Sequence, residues 1–133
     1  MLFPPRHEQD PRVLKDPRRL PPGQVLTQKW PVLSYGGPPR YDMAAWRLRL
    51  YGEVAAPATL SWTQVKTLSP SGVTADMHCV TTWSRLDNHW EGVAFKDLAD
   101  LVKPRSSAKY VIAPCASNYT TSLPVEVLAN ADV

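Results

Sequence analysis

The chain has 133 residues, 44% of them apolar and 20% charged, and a formal net charge of +3. This apolar content and the five tryptophans exclude a chain that is disordered throughout, and the length suits a single domain. No run reaches the roughly 18 apolar residues of a membrane-spanning helix, so we expect no membrane insertion.

Proline and positive charge are concentrated at the start of the chain. Residues 1–40 hold nine of the 14 prolines and carry a net charge of +4, whereas residues 41–133 carry −1. The basic character therefore belongs to the leading segment. A nucleic-acid groove needs basic and aromatic residues interleaved on a folded face, so we expect no nucleic-acid partner. We interpret residues 1–17 as an irregular basic arm and residues 18–133 as one domain.

We expect no targeting signal in the leading residues. Prolines follow directly after the first three residues, which leaves no apolar segment of the secretory type. Residues 20–24, after the pair Arg18-Arg19, cannot supply the apolar part of a twin-arginine signal. These features predict a cytoplasmic protein in which both cysteines are reduced.

The first half of the chain contains two clear element signals. Residues 1–25 lack hydrophobic periodicity and are predicted to be extended or irregular. Residues 46–51 alternate apolar and polar side chains, which predicts a half-buried strand. Residues 61–64 have the serine-x-x-glutamine form of a capping box, so a short helix is predicted over residues 62–68.

The second half continues with short elements. Residues 73–82 are rich in β-branched side chains and predict a strand that enters a loop. Apolar spacing predicts a helix over residues 95–102, a buried strand over 109–113 and a helix start over 125–129. Because the spacings are too short for successive parallel crossovers, the pattern indicates an α+β fold with antiparallel pairing.

The densest group of reactive side chains is residues 76–90, which hold a thiol, two of the three histidines and two tryptophans. Cys79 could be a nucleophile, but His78 beside it would point to the opposite face of a strand. Zinc would need more ligands at short spacing, and the two cysteines are 36 positions apart. The thiolate could bind a metal that brings its own other ligands, or Cys79 could be a small buried apolar residue. The residues alone leave these alternatives open.

Three ordered segments resemble the sulfite-oxidase-like molybdopterin-dependent oxidoreductases, in particular the small single-domain bacterial and archaeal members. The first resembles the molybdenum-ligating segment of that family, the second its leading arm and the third its Tyr-Thr-Thr-Asn-Leu-Pro segment. The first is His78-Cys79-Val80-Thr81-Thr82-Trp83-Ser84-Arg85-Leu86-Asp87-Asn88. The second is Leu20-Pro21-Pro22-Gly23-Gln24 with Thr27-x-Lys29-Trp30-Pro31-Val32-Leu33, and the third is Tyr119-Thr120-Thr121-Ser122-Leu123-Pro124.

The resemblance implies a mixed β-sheet with short helices, a sulfite-oxidase-type molybdopterin-binding domain. It implies a molybdenum-molybdopterin cofactor whose metal is ligated by Cys79, and two-electron oxygen-atom transfer as the chemistry. The implied partners are a small-molecule oxygen-atom donor or acceptor and a separate electron-transfer protein. Gln28 and Lys29 stand where sulfite oxidases have an anion-binding arginine, which weakens sulfite as the substrate.

The resemblance also assigns site residues. It implies catalytic roles for Cys79 and Arg85, and we expect Arg85 or Lys29 to lower the pKa of the Cys79 thiol. Arg85 could instead form a surface ion pair with Asp87, and the tryptophans and threonines could be ordinary packing or strand residues. The residues implied to bind the cofactor are Lys29, Trp30, His78, Thr82 and Thr121.

The family continues beyond the point where this sequence stops, with a histidine-glycine-rich segment and a tryptophan-lysine-serine segment. The resemblance therefore predicts a domain that is truncated at its C-terminus. The alternative is a non-catalytic remnant or fragment that cannot hold the cofactor without those segments or a partner chain.

Overall fold

A computed structural model describes residues 10–34, 36–116 and 119–130. Short helices and strands alternate along these residues. In chain order they are α1 (Pro11–Lys15), a 3-10 turn (Pro17–Arg19), β1 (Val25–Leu26), β2 (Arg47–Leu50), β3 (Ala58–Ser61), α2 (Trp62–Thr67), β4 (Ser71–Cys79), β5 (Trp83–Gly92), α3 (Phe95–Val102), β6 (Tyr110–Pro114), β7 (Thr120–Pro124) and α4 (Val125–Leu128).

The chain divides into two compact units. The first takes in residues 1–32 and 72–90, and the second takes in residues 33–71 and 91–133. β1 runs parallel to β5, whereas β2–β3 and β6–β7 are antiparallel pairs. Parallel and antiparallel pairing with short helices confirms the predicted mixed α+β fold, and the proposed boundary at residue 18 stays a prediction.

The first unit is organised around the strand order β1-β5-β4. β4 and β5 are joined by residues 80–82 and form a hairpin. On β5 the alternate side chains Ser84, Leu86 and Asn88 are buried, as the two-residue period of a strand requires. We expected a loop after residue 82, and this was wrong. Two of these three buried residues, Ser84 and Asn88, are polar. The sequence of β5 therefore lacks the apolar–polar alternation that would predict a strand.

The leading segment is more ordered than its composition predicts. The side chain of Asp10 accepts a hydrogen bond from the Arg12 N–H at 2.9 Å and caps α1, whose first residue is Pro11. Proline suits this position because its missing N–H would have no partner there. Val13 is only 7% exposed. Residues 11–15 are therefore helical where an extended conformation was expected.

Ion pairs attach this segment to the β4–β5 hairpin. Arg19 binds both carboxylate oxygens of Asp76, at 2.9 and 2.7 Å, and also reaches Asp87 at 2.6 Å. Arg12 binds the other oxygen of Asp87 at 3.0 Å and both oxygens of Asp10. Two-pronged arginine–carboxylate pairs fix geometry as well as charge. The network therefore sets where residues 10–19 lie on the hairpin.

The second unit confirms three of the predicted elements. β2 carries the alternation expected of residues 46–51, and α3 covers the predicted range and ends at Lys103, which has φ 53°. Ser61 and Gln64 form the predicted capping box at α2, with each side chain bonded to the other residue's backbone N–H.

β6 was predicted as a buried strand, and only the strand is confirmed. Tyr110 is 66% and Ile112 65% exposed, while β6 pairs with β7 in a two-stranded sheet. Apolar residues on both faces of a strand can be buried only when both faces are covered. The continuous apolar run therefore predicted correctly that these residues form a strand, but it did not predict that much of the strand is exposed.

The capping box makes Ser61 a test of how α2 is stabilised. Ser61→Ala removes an acceptor for the Gln64 N–H, and we expect the free energy of unfolding to fall by about 1 kcal/mol. Urea unfolding followed by circular dichroism measures this. Ser69→Ala, at an exposed serine beyond the helix, is the matched control, and an equal loss in both variants would contradict the capping role.

The ion pairs predict an acid-sensitive first unit. The hydrogen bond from Arg12 lowers the pKa of Asp10 to about 2, and the hydrogen bond from Arg19 lowers the pKa of both Asp76 and Asp87. Because these values lie below those of the unfolded chain, the network stabilises the fold above the unfolded pKa. That stabilisation is lost as the pH falls through the folded pKa.

We therefore expect the free energy of unfolding to decrease steadily between about pH 4 and about pH 2. Urea titrations at constant ionic strength would show it. Arg19→Gln should reduce this pH dependence. Arg18→Gln should change it less, because among the described residues Arg18 pairs only with Asp16 and that pair is exposed. A pH profile that is the same in wild type and Arg19→Gln would show that the network does not stabilise the fold.

Candidate functional site

Cys79 is the last residue of β4 and begins the turn that joins β4 to β5. Its carbonyl accepts a hydrogen bond from the Thr82 N–H at 3.0 Å. Thr82 has φ 69°, a left-handed conformation that is uncommon for a β-branched residue. The turn therefore holds the half-buried Cys79 side chain at the end of the hairpin.

The Cys79 thiol lies among hydrogen-bonding groups that favour its ionised form. Its Sγ lies 3.1 Å from the hydroxyl of Thr81. Hydrogen bonds from this hydroxyl and from the Thr81 N–H, with a smaller contribution from the Val80 N–H, lower the pKa of the Cys79 thiol. The thiolate is the form that binds metals and reacts. Thr81 thus performs the task that we had expected of Arg85 or Lys29.

A chain of hydrogen bonds connects Cys79 to His78 through Gln24. The amide nitrogen of Gln24 donates to the Cys79 carbonyl at 3.1 Å. The Ser84 hydroxyl donates to the amide oxygen of Gln24 at 3.2 Å, and Nδ1 of His78 lies 2.8 Å from the same hydroxyl. Ser84 is fully buried, so the chain crosses the interior of the first unit.

Gln24 reaches this position because of the turn before it. The Gln24 N–H bonds to the Pro21 carbonyl at 3.1 Å, and Gly23 has φ 80°. Proline at the second position and glycine at the third are typical of a type II turn. The sequence analysis includes Gln24 in a motif but assigns it no role. The Pro-Gly pair before it indicates the turn, but the sequence does not indicate the side chain's partner, which lies 55 positions away.

Trp30 lies in an aromatic and cationic cluster. Its ring meets Trp83 edge-on at 6.0 Å and Trp90 at 5.6 Å between centroids, and the guanidinium of Arg85 lies 4.9 Å from its centre. Arg85 also donates to the Gln28 carbonyl and to the side chain of Asn88. Arg85 therefore holds the segment around Trp30 against β5.

The alternative of a surface pair between Arg85 and Asp87 is not what the structure shows. Asp87 receives its hydrogen bonds from Arg12 and Arg19, while Arg85 is turned to Trp30 and Asn88. Residues two apart on a strand share a face, but Asp87 has φ 55°, and its carboxylate is taken by the two arginines of the leading segment.

The indole nitrogen of Trp83 is a buried donor without an acceptor among the residues that the structure describes. Leaving such a donor unpaired costs about 1–3 kcal/mol. A bound group that carries an acceptor atom would recover part of this cost. A thiol is suited to a metal, and an indole N–H is suited to an acceptor atom, which are both features of a metal-containing cofactor with polar oxygen atoms.

The structure groups most of the predicted site residues in the first unit. His78 and Cys79 are connected through Ser84 and Gln24, and Trp30 is stacked with Arg85. Lys29 is exposed beside Trp30, and the Thr82 carbonyl accepts from the Val25 N–H at 2.9 Å. Thr121 lies on β7 in the second unit, paired with Ala113.

Two features are absent from the described part of the chain. Residues 10–34, 36–116 and 119–130 contain no group of three His, Cys, Asp or Glu side chains that could hold a metal ion. None of their helices has the length and apolar character needed to cross a membrane.

Comparison with known proteins identifies relatives over most of the chain. The uncharacterized oxidoreductase YuiH of Bacillus subtilis is 43% identical over 109 residues, which are 81% of this chain and 55% of YuiH. YedZ1 of Azospira oryzae, named as a protein-methionine-sulfoxide reductase subunit, is 30% identical over 116 residues, which are 83% of this chain and 44% of YedZ1. The chain thus spans about half the length of these curated relatives.

The oxidoreductase molybdopterin binding domain family matches residues 35–133. The matched range contains Cys79 and Thr121 and leaves out Gln24, Lys29 and Trp30. The match confirms the predicted resemblance and its molybdopterin cofactor, and the chain belongs to the family of oxidoreductase molybdopterin-binding domains.

Proposed function

We propose that Cys79 is the protein ligand to the molybdenum of the molybdopterin cofactor, in an oxidoreductase of the sulfite-oxidase type. The observation that carries the proposal is the half-buried Cys79 thiol, whose pKa is lowered by Thr81 at the end of the β4–β5 hairpin. A metal ligand must lose its proton, and an environment that already favours the thiolate lowers the cost of that loss.

The surrounding residues fit such a cofactor. A thiolate suits a soft or high-valent metal, and the indole N–H of Trp83, which has no acceptor in the described part of the chain, suits an oxygen atom of a bound group. When bound, the cofactor would supply two-electron oxygen-atom transfer. Cofactor contacts from Lys29, Trp30, His78, Thr82 and Thr121 are part of the proposal.

The roles of the protein residues follow from their contacts. The Thr81 hydroxyl is placed to donate to a Cys79 thiolate, and Gln24 and Thr82 hold the Cys79 carbonyl. With the peptide plane after Cys79 held by two donors, the backbone that carries the thiol is fixed. Preorganised ligands of this kind avoid a cost of rearrangement when the metal binds.

We propose a small-molecule oxygen-atom donor or acceptor as the substrate and a separate protein as the electron-transfer partner. The exposed Lys29 and His78 favour a polar or anionic substrate. The name of the relative YedZ1 describes a subunit, which supports a partner protein. A cytoplasmic location remains part of the same prediction.

Molybdenum content tests the role of Cys79. After expression in a host that makes the cofactor, we expect about one molybdenum per chain in the wild type and a loss of most of it in Cys79→Ser, because serine offers no thiolate. Inductively coupled plasma mass spectrometry measures the metal, and Cys115→Ser in the second unit is the matched control. Equal molybdenum in wild type and Cys79→Ser would contradict ligation. A wild type without molybdenum would favour the alternative, a non-catalytic fragment.

Arg85 tests how the Trp30 segment is held. Arg85→Met removes the contact with the Trp30 ring and the hydrogen bond to the Gln28 carbonyl, and we expect a destabilisation of about 1–2 kcal/mol. The indole N–H signal of Trp30, assigned with Trp30→Phe, should shift in nuclear magnetic resonance spectra. Arg49→Met, which removes a similar contact with Tyr51 in the second unit, should leave that signal in place. An unshifted Trp30 signal in Arg85→Met would show that Arg85 does not position Trp30.

A further inference from the structure

The hydrogen bonds between Cys79 and His78 have only one consistent set of directions. The carbonyl oxygen of Cys79 can accept and cannot donate. The Gln24 amide must therefore present its NH₂ group to that carbonyl, at 3.1 Å, and its oxygen to Ser84, at 3.2 Å. The orientation of the amide is fixed by the backbone group that it faces.

The same constraint passes through Ser84 to the histidine ring. The Ser84 hydroxyl has one proton, and this proton goes to the amide oxygen of Gln24. Ser84 can then only accept from His78, whose Nδ1 lies 2.8 Å away. Nδ1 therefore carries the proton, and in the neutral ring Nε2 carries the lone pair.

We propose that Gln24 is a positioning residue that fixes His78 in the Nδ1–H tautomer and holds the Cys79 carbonyl at the same time. The exposed His78 ring consequently offers an acceptor at Nε2 rather than an N–H. If His78 lines the molybdenum site proposed above, this acceptor is available to an O–H or N–H donor of a bound substrate. Only that last consequence depends on the proposed function.

Burial makes the arrangement specific. Ser84 is fully buried, with no surface open to water, so its proton has to find a protein acceptor. A buried hydroxyl left without a partner is costly. Removal of the Gln24 oxygen would therefore redirect the Ser84 proton to His78 Nδ1, and the imidazole proton would move to Nε2.

Two variants at one position separate the two tasks of Gln24. Gln24→Glu keeps an oxygen that accepts from Ser84 and loses the donor to Cys79. Gln24→Leu loses both. We expect the Nδ1–H form of His78 to predominate in the wild type and in Gln24→Glu, and the Nε2–H form to predominate in Gln24→Leu and in Ser84→Ala. Gln28→Leu, an exposed glutamine four positions away, is the control and should match the wild type.

The tautomer is read from two-bond ¹H–¹⁵N correlation spectra of protein labelled at histidine nitrogen. The spectra are recorded at one pH for all variants, and the His78 signals are identified by their loss in His78→Gln. An Nε2–H form in the wild type, or an unchanged tautomer in Gln24→Leu, would overturn the proposal.

The wild-type spectrum decides the tautomer even if a variant fails to fold, and folding of each variant is checked by circular dichroism. The measurement needs no cofactor. Failure of the molybdenum test at Cys79 and failure of the tautomer test at His78 are therefore distinguishable results.

Discussion

The candidate site depends on a two-residue parallel pairing between β1 and β5. The Val25 N–H bonds to the Thr82 carbonyl and the Thr27 N–H bonds to the Ser84 carbonyl, both at 2.9 Å. This short pairing fixes the register of a segment that carries Gln24 just before it and Trp30 just after it. Backbone pairing alone gives no chemistry, but it brings two side chains from the leading segment to the hairpin that carries Cys79.

Electrostatics in this unit is divided between two places. Charged side chains gather where residues 10–19 meet the hairpin, through Arg12, Arg19, Asp76 and Asp87. Around the thiol, by contrast, the stabilising groups are a hydroxyl and backbone N–H groups. Neutral donors favour the thiolate without adding a counter-charge that would compete with a cationic metal. The chain therefore separates the charges that attach the arm from the groups that tune the ligand.

Local signals in the sequence predicted local structure. The capping box of α2, the apolar spacing of α3 and the alternation of β2 each depend on residues within about one to three turns or a few strand positions. These features need no knowledge of how distant segments meet. The residues alone left the role of Cys79 open, and the resemblance to a known family singled it out as a metal ligand.

Long-range contacts could not be predicted in this way. The sequence of β5 is typical of a loop because its buried positions include polar residues. In the structure Ser84 and Asn88 form hydrogen bonds inside the unit, to Gln24 and to the Ala75 carbonyl. The task of Gln24 depends on a carbonyl far along the chain, and no spacing rule connects the two. The source of the lowered thiol pKa is a different case, because Thr81 is only two positions from Cys79. The expectation of Arg85 or Lys29 looked for a positive charge and overlooked a neutral donor close in the chain.

The connections of the leading segment also carry different entropic costs. Gln24 meets Cys79 across 55 positions, and Arg12 meets Asp87 across 75. The β4–β5 hairpin closes over three residues. Short loops close at a smaller entropic cost than long ones. The leading segment precedes the hairpin in the chain, so its contacts can form only once the hairpin has been synthesised. The geometry around Cys79 therefore depends on closing the longest loops of the first unit.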